Sequence, residues 1–226
     1  MSALPVFPLR RTDLPSKVNP DLLGWRSVAT PDRMPTGISS ADALLEGCPR
    51  GRITEIFGPP SSGRTTMLHS ILASASRHGE TCALVDATDS FDPISAGRAG
   101  LDMKRLHWIR CRGNVEHAMR VADLLLASAG FGVIALDFCD ATPVALRRIP
   151  QAFWFRFRRA VEDTPAVMLV LAREPQTKSC AALAVDMKRR HVEFTGGFPL
   201  LRSVEYEAVS HKPVRAGSAQ IRAIAS

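Results

Sequence analysis

A glycine-rich segment near residue 60 has the residue types and spacing needed to bind phosphate groups. It reads Gly58-Pro59-Pro60-Ser61-Ser62-Gly63-Arg64-Thr65, the spacing G-x-x-x-x-G-[K]-[ST] with arginine where lysine is usual. In such a loop, backbone N–H groups surround a polyphosphate, the hydroxyl binds Mg²⁺, and the cation reaches the outer phosphates. Arg64 keeps the charge but not the compact, rotatable ammonium group. The segment therefore predicts a polyphosphate site with Thr65 at the metal, and altered chemistry at Arg64.

The sequence on both sides of this loop predicts the elements that the motif needs. Residues 53–57 are mostly apolar and predict a strand, and the residues after the loop predict a helix that ends at Gly79. The helix has an apolar face at the spacing i, i+3, i+4 and i+7, formed by Leu68, Ile71, Leu72 and Ala75. A chance match to the motif seldom has both a strand before it and a helix after it.

A second candidate site residue is Asp137, which follows the apolar run 133–136. A carboxylate at the end of a buried strand can orient Mg²⁺ or its water. The carboxyl ends of parallel strands share one edge of a sheet, so Asp137 and the loop are expected to meet there. We therefore predict Thr65 and Asp137 as metal ligands, with helix capping by Asp137 as the alternative.

Further apolar segments indicate an α/β fold with a mostly parallel central sheet flanked by helices. They alternate with helical patterns, one N-capped by Asn114, and the predicted strands cover residues 81–86, 106–110, 133–136 and 166–172. The C-terminal end predicts antiparallel strands at 183–190, 192–195 and 200–209, with Gly196-Gly197 as the last turn.

The chain divides into three predicted segments. Residues 1–35 are rich in proline and predict an extended N-terminal arm, residues 36–209 form the core domain, and residues 210–226 form a basic, flexible tail. With 226 residues, of which 46% are hydrophobic, the chain is long enough for one substantial core. No apolar run is long enough to cross a bilayer, so we expect a cytoplasmic protein without membrane contact.

Charge and cysteine content restrict the classes of partner. The 29 basic and 22 acidic residues give a net charge of +7, which suits nucleic acid or another acidic partner. The five cysteines are far apart, so they predict neither a zinc site nor a disulfide framework.

The segment 147–159 combines five arginines with apolar residues at helical spacing. It predicts either a helix that covers the sheet with a solvated basic face or a surface for nucleic acid or protein.

Several segments together resemble the RecA recombinase family. They are Thr36-Gly37-Ile38, Asp42-Ala43-Leu44, the run from Pro49 to Thr66 and the run from Asp86 to Pro93. The resemblance extends from about residue 36 to residue 137 and implies a RecA-like P-loop core. It also implies ATP and Mg²⁺ as cofactors, with Gly58 to Thr66 around the phosphates, Thr65 and Asp137 at the metal, and Asp92 and Pro93 at the adenine.

The departures from that family concern hydrolysis and DNA binding. Thr88 occupies the position of the family's catalytic glutamate, and a threonine cannot accept a proton at neutral pH. The nearest carboxylate, Asp89, is one position out of register and is the remaining candidate for a base. Ser95 replaces the aromatic residue that stacks on the base, and the segments that follow Asp137 and the strand at 166–172 are too short for the family's DNA-binding loops.

These features are similar to those of the ImuA group of short RecA-related proteins. The resemblance implies an accessory or scaffold protein of the bacterial SOS response and mutagenic translesion synthesis, with weak or absent hydrolysis. It implies an ImuB-like polymerase component or RecA as partner, with DNA contacts through 147–159 and the tail, and self-association. One alternative is an active, DNA-dependent recombinase ATPase that uses Asp89 or Glu55 as its base. Another is a protein-interaction module that no longer binds nucleotide.

Overall fold

The computed structural model describes residues 32–128, 130–162, 164–195 and 200–224. The strands are β1 (Arg33–Met34), β2 (Cys48–Pro49), β3 (Arg52–Phe57), β4 (Thr81–Asp86), β5 (Leu106–Arg110), β6 (Phe131–Asp137), β7 (Val167–Ala172), β8 (Ala181–Phe194), β9 (Leu201–Lys212) and β10 (Ala219–Ile224). The α-helices are α1 (Ser39–Leu45), α2 (Arg64–Arg77), α3 (Pro93–Arg98), α4 (Val115–Ala127), α5 (Pro143–Arg147) and α6 (Gln151–Glu162). None of these helices is long and apolar enough to span a membrane.

The central sheet has eight strands in the order β10-β9-β8-β3-β7-β6-β4-β5. The strands from β8 to β5 in this order run parallel, whereas β9 and β10 are antiparallel to their neighbours. This arrangement confirms the predicted fold class. β7 lies between β3 and β6, so one strand separates the glycine-rich loop after β3 from Asp137 at the end of β6.

Burial explains why the central strands are apolar throughout. All six residues of β7 are buried, because helices cover both faces of the sheet. The helices α1, α2 and α3 pack on one face through Leu45, Leu72 and Ala96. The helices α4, α5 and α6 pack on the other face through Ala118, Leu146 and Phe157. All five cysteines are buried and free, and burial raises the pKa of Cys48 and Cys82 to about 12.

The C-terminal segment differs from the flexible tail predicted for 210–226. Ser210 to Lys212 continue β9, and residues 219–224 form β10, which pairs with β9. Ala219 and Ile221 are buried in the core that contains α2. The prediction was therefore wrong for residues 210–212 and 219–224, which belong to the sheet. The predicted arm lies outside the described residues up to residue 31, as does the turn at Gly196-Gly197.

Two other predicted boundaries were wrong. The helical pattern across 146–159 is divided between α5 and α6, and Pro150, which has no N–H to donate, lies at the break. The strands predicted at 183–190 and 192–195 form the single long strand β8. Phe57, the last residue of β3, pairs with Asp186, and β8 continues for eight more residues to Phe194.

Candidate phosphate-binding site

The glycine-rich loop connects β3 to α2 and has the backbone of an anion-binding turn. Gly58, Ser61 and Gly63 have positive φ angles of 151°, 58° and 93°. Gly63 is the N-cap of α2, and as a glycine it has no side chain to accept a hydrogen bond from the first turn of that helix. The first amide groups of a helix have no intrahelical partner, and the helix dipole adds positive potential there. The end of α2 is therefore open to a phosphate group.

Both glycines of the motif are also required by close packing. A Cβ atom at Gly58 would lie 2.2 Å from the carbonyl oxygen of Met187 in β8. A Cβ atom at Gly63 would lie 2.7 Å from Cγ and 2.9 Å from each Cδ of the Tyr206 ring in β9. The strands β8 and β9 thus support the loop from one side. Neither contact could be predicted from the sequence, because residues 129 and 143 positions apart give no local signal.

Two buried polar atoms in the loop lack partners. The side chains of Ser62 and Arg64 belong to residues that are 1% and 6% exposed, and neither Ser62 Oγ nor Arg64 Nη1 has a hydrogen-bond partner in the described structure. An unpaired buried donor costs free energy, about 1–3 kcal/mol. A phosphate oxygen would satisfy both groups, so the loop fits a polyphosphate. Thr65 is exposed and Thr66 is half-buried at the start of α2.

Asp137 is buried at the carboxyl end of β6. Its Oδ1 atom accepts a hydrogen bond of 2.8 Å from the N–H of Cys139. Burial raises the pKa of Asp137, while that hydrogen bond and the positive charge of Arg64 act in the opposite direction. Arg64 is thus near enough for its positive charge to act on the Asp137 carboxylate. Thr142 is the N-cap of α5, so the alternative of helix capping by Asp137 was wrong for that helix.

Arg173, at the end of β7, joins the loop to the turn after Asp137. Its carbonyl oxygen accepts a hydrogen bond of 3.2 Å from the N–H of Gly58. Its side-chain Nε donates a hydrogen bond of 3.1 Å to the carbonyl oxygen of Cys139. The inserted strand β7 therefore fixes the spacing of the two motifs at the edge of the sheet.

The buried carboxylate of Glu55 accepts hydrogen bonds from the segment that follows β7. Glu55 is 1% exposed, and its oxygens accept hydrogen bonds from the N–H of Gln176 at 2.6 Å and from the N–H and Oγ1 of Thr177 at 3.0 and 2.7 Å. Burial raises its pKa, and the three hydrogen bonds act against that rise. Glu55 anchors the segment between β7 and β8, and it has little remaining capacity to bind a water molecule.

The carboxylates of Asp86, the last residue of β4, and of Asp89 also have hydrogen-bond partners. Asp86 is buried and accepts hydrogen bonds from the N–H groups of Ser90 and Phe91, both at 3.1 Å, which shapes the turn that carries Thr88. Asp89 has a φ angle of 60°. It accepts a hydrogen bond of 2.9 Å from Nη2 of Arg110. Asp89 is therefore held toward β5 by an arginine.

Asp92 and Pro93 begin α3. Asp92 is its N-cap and accepts hydrogen bonds from the N–H groups of Ile94 and Ser95, and Pro93 occupies the first turn. The hydroxyl of Ser95 also donates to Asp92, and this bond is the main cause of the lowered pKa of Asp92. Near this helix, a cavity of about 390 Å³ lies between Thr66, Ala99 and Arg222 of β10.

The basic segment 147–159 includes a helix that covers the sheet, which was one of the two alternatives predicted for it. Trp154, Phe157 and Val161 of α6 are buried. Arg156 pairs with Asp123 of α4 at 2.8 Å and lies over the Phe153 ring at 4.5 Å. The other arginines of the segment are exposed: Arg147, Arg148, Arg158 and Arg159.

The strand–loop–helix unit formed by β3, the glycine-rich loop and α2, within a mostly parallel sheet, defines a P-loop α/β protein. Residues 22–146, more than half of the chain, match the RecA N-terminal domain family. The chain therefore belongs to the RecA family.

Comparison with curated proteins gives relatives in that family. The chain is 43% identical over 113 residues to "Protein RecA" of Haemophilus ducreyi and 39% identical over 108 residues to "Protein RecA" of Chloroflexus aurantiacus. These matches cover 49% and 47% of this chain, and 30% of each relative. The match thus spans less than a third of the length of either relative.

Proposed function

We propose that this chain binds ATP with Mg²⁺ and hydrolyses it slowly or not at all. The observation that supports binding is the pair of buried groups without hydrogen-bond partners in the described structure, Ser62 Oγ and Arg64 Nη1. The amide groups at the start of α2, with Ser62 and Arg64, would hold the phosphates. Thr65 and Asp137 would hold Mg²⁺, which supplies charge neutralisation at the phosphates.

Slow hydrolysis is expected because none of the three positions considered for the base, Thr88, Asp89 and Glu55, offers a free carboxylate in the described structure. Thr88 has no acidic group, Asp89 is paired with Arg110, and Glu55 is bound to Gln176 and Thr177. Loss of a general base usually lowers a rate by ~10²–10⁴. Asp92 and Pro93 would lie at the adenine, as the resemblance implies; neither residue lines the cavity between Thr66, Ala99 and Arg222.

We further propose an accessory role of the ImuA type in the DNA-damage response and translesion synthesis. The resemblance stated above supports this role, and so do the short connections after the motifs. Residues 138–142 connect β6 to α5, and residues 173–180 connect β7 to β8. On this proposal, the partner is an ImuB-like polymerase component or RecA, the chain can self-associate, and Arg158 and Arg159 of α6 are free to contact DNA.

Thermal melting with and without ATP–Mg²⁺ tests nucleotide binding. A ligand at 100 times its Kd stabilises the folded state by about 2.7 kcal/mol. We expect the melting temperature of the wild-type chain to rise, and the rise to be lost in Arg64→Ala and smaller in Asp137→Ala. Glu116→Ala, at an exposed position on α4, is the matched control and should respond as the wild type does.

Hydrolysis assays with and without single-stranded DNA separate the alternatives. Slow turnover without stimulation agrees with the proposal. Fast hydrolysis that depends on single-stranded DNA and on Thr65 would instead support an active recombinase ATPase. No change in melting temperature at millimolar ATP–Mg²⁺ would support a protein-interaction module without nucleotide.

A further inference from the structure

A second, larger cavity lies on the side of the sheet covered by α4 and α6. Its volume is about 670 Å³, within the range of about 300–1,000 Å³ that small-ligand sites occupy. It is bounded by residues 112–114 after β5, by the first turns of α4, and by residues 148–150 between α5 and α6. None of its lining residues belongs to the phosphate loop, and the proposed nucleotide chemistry does not use it.

The floor of this cavity is apolar. Met119 of α4 is buried, while Ile149 and Phe153 are half-buried and still partly accessible. Methionine adapts its shape to different apolar groups because its side chain is unbranched and flexible. The floor can therefore receive a large aliphatic or aromatic side chain.

The rim of the cavity is cationic. Its three arginines, Arg112, Arg120 and Arg148, are exposed. Among the described residues, no carboxylate lies within 4.0 Å of the guanidinium group of Arg112 or Arg148. Nη2 of Arg120 lies 3.9 Å from Oε2 of Glu116. Both side chains are exposed, so this ion pair holds Arg120 only weakly. The N-terminus of α4, where Asn114 caps only the N–H of His117, adds positive potential.

The Phe153 ring favours a peptide over a nucleobase as the ligand. Binding of single-stranded nucleic acid depends on open aromatic faces on which bases stack. One face of Phe153 is covered by Arg156 at 4.5 Å, and the edge-on ring of Phe157 lies 6.1 Å away. Arg156 is itself held by Asp123 at 2.8 Å. Phe153 thus acts as an apolar wall with Arg156 over one face of its ring and Phe157 edge-on beside it.

We propose that this cavity binds a short acidic segment of a partner protein. One large apolar side chain of that segment enters the floor formed by Met119, Ile149 and Phe153. Carboxylates on either side of it pair with the arginines of the rim, since a guanidinium group can bind a carboxylate through two parallel hydrogen bonds. This inference does not depend on nucleotide binding, because the two sites share no residue.

Peptide selection on the whole chain tests this inference. A phage library of random 12-residue peptides is selected on the wild-type chain and depleted on the variant Arg148→Glu/Ile149→Glu. We expect the selected peptides to contain an apolar residue between acidic residues. Labelled synthetic copies should bind by fluorescence anisotropy, with an affinity reduced at least tenfold by Arg148→Glu and changed less than twofold by Arg159→Glu, which lies outside the cavity.

Three outcomes would overturn the proposal. The first is that no selected peptide depends on Arg148 or Ile149 for binding. The second is that the dependent peptides lack acidic residues. The third is that labelled 12-residue oligothymidylate binds with the same dependence on these residues, while the peptides do not. Unchanged melting temperatures and unchanged ATP responses of the variants show that any loss of peptide binding is local and that it is separate from the nucleotide site.

Discussion

The contact between Gly63 and Tyr206 permits a quantitative test of how the phosphate loop is supported. In Gly63→Ala, the new methyl group would meet the tyrosine ring at 2.7 Å, well inside van der Waals contact. Overpacking of this kind costs about 1–3 kcal/mol. The φ angle of 93° adds about 1–2 kcal/mol of backbone strain for any residue with a Cβ atom. The variant should lose about 2–5 kcal/mol of unfolding free energy.

A double-mutant cycle separates these two contributions. Tyr206→Ala removes the ring, so the overpacking disappears in Gly63→Ala/Tyr206→Ala while the backbone strain remains. The loss in the double variant should therefore be about 1–3 kcal/mol smaller than the sum of the two single losses. The four proteins are compared by urea denaturation with shared slopes. Additivity within about 0.5 kcal/mol would refute the argument that the ring packs against the loop.

Four other substitutions test the buried carboxylate of Glu55 and the last strand, β10. Glu55→Ala leaves the N–H groups of Gln176 and Thr177 without acceptors. It should lower the unfolding free energy, measured by urea denaturation, by about 3 kcal/mol or more. A loss below about 1 kcal/mol would contradict the role of Glu55 as the anchor of this segment. Because the folded-state pKa of Glu55 is raised, its contribution to stability should decline as pH rises above 4.5 through that pKa. Glu55→Gln should remove this decline. Ile221→Ala, at a buried position of β10, should lower the unfolding free energy by about 2–4 kcal/mol, whereas Arg222→Ala, at an exposed position, should lower it less.

Local sequence patterns predicted most of the elements around the site. The continuous apolar run of β7, the apolar face of α2 and the cap at Asn114 each depend on neighbouring residues, so they could be recognised from the sequence. The tail prediction failed because the short alternation around Ala219 and Ile221 was outweighed by the nearby polar and basic residues. The alternation of apolar Ala219 and Ile221 with polar Gln220 and Arg222 was the signal that could have identified β10.

The partners of the candidate site residues could not be predicted in the same way. Asp89 was a candidate base by its position in the sequence, but only the fold shows that Arg110 of β5 holds it. Glu55 and Thr177 are 122 residues apart and meet because β3 and β7 are adjacent. Such hydrogen bonds depend on strand order, which a single sequence does not specify.

The support of the phosphate loop by β8 and β9 has a consequence for biosynthesis. The ribosome adds about 5–20 residues per second, starting from the N-terminus. The loop is complete at Thr65, but Tyr206 is added 141 residues later, after about 7–28 s. During this interval the nascent chain has the phosphate motif without the ring that packs against it. The loop can reach its final packing only after Tyr206 has been added, so the phosphate site matures later than its own motif is synthesised.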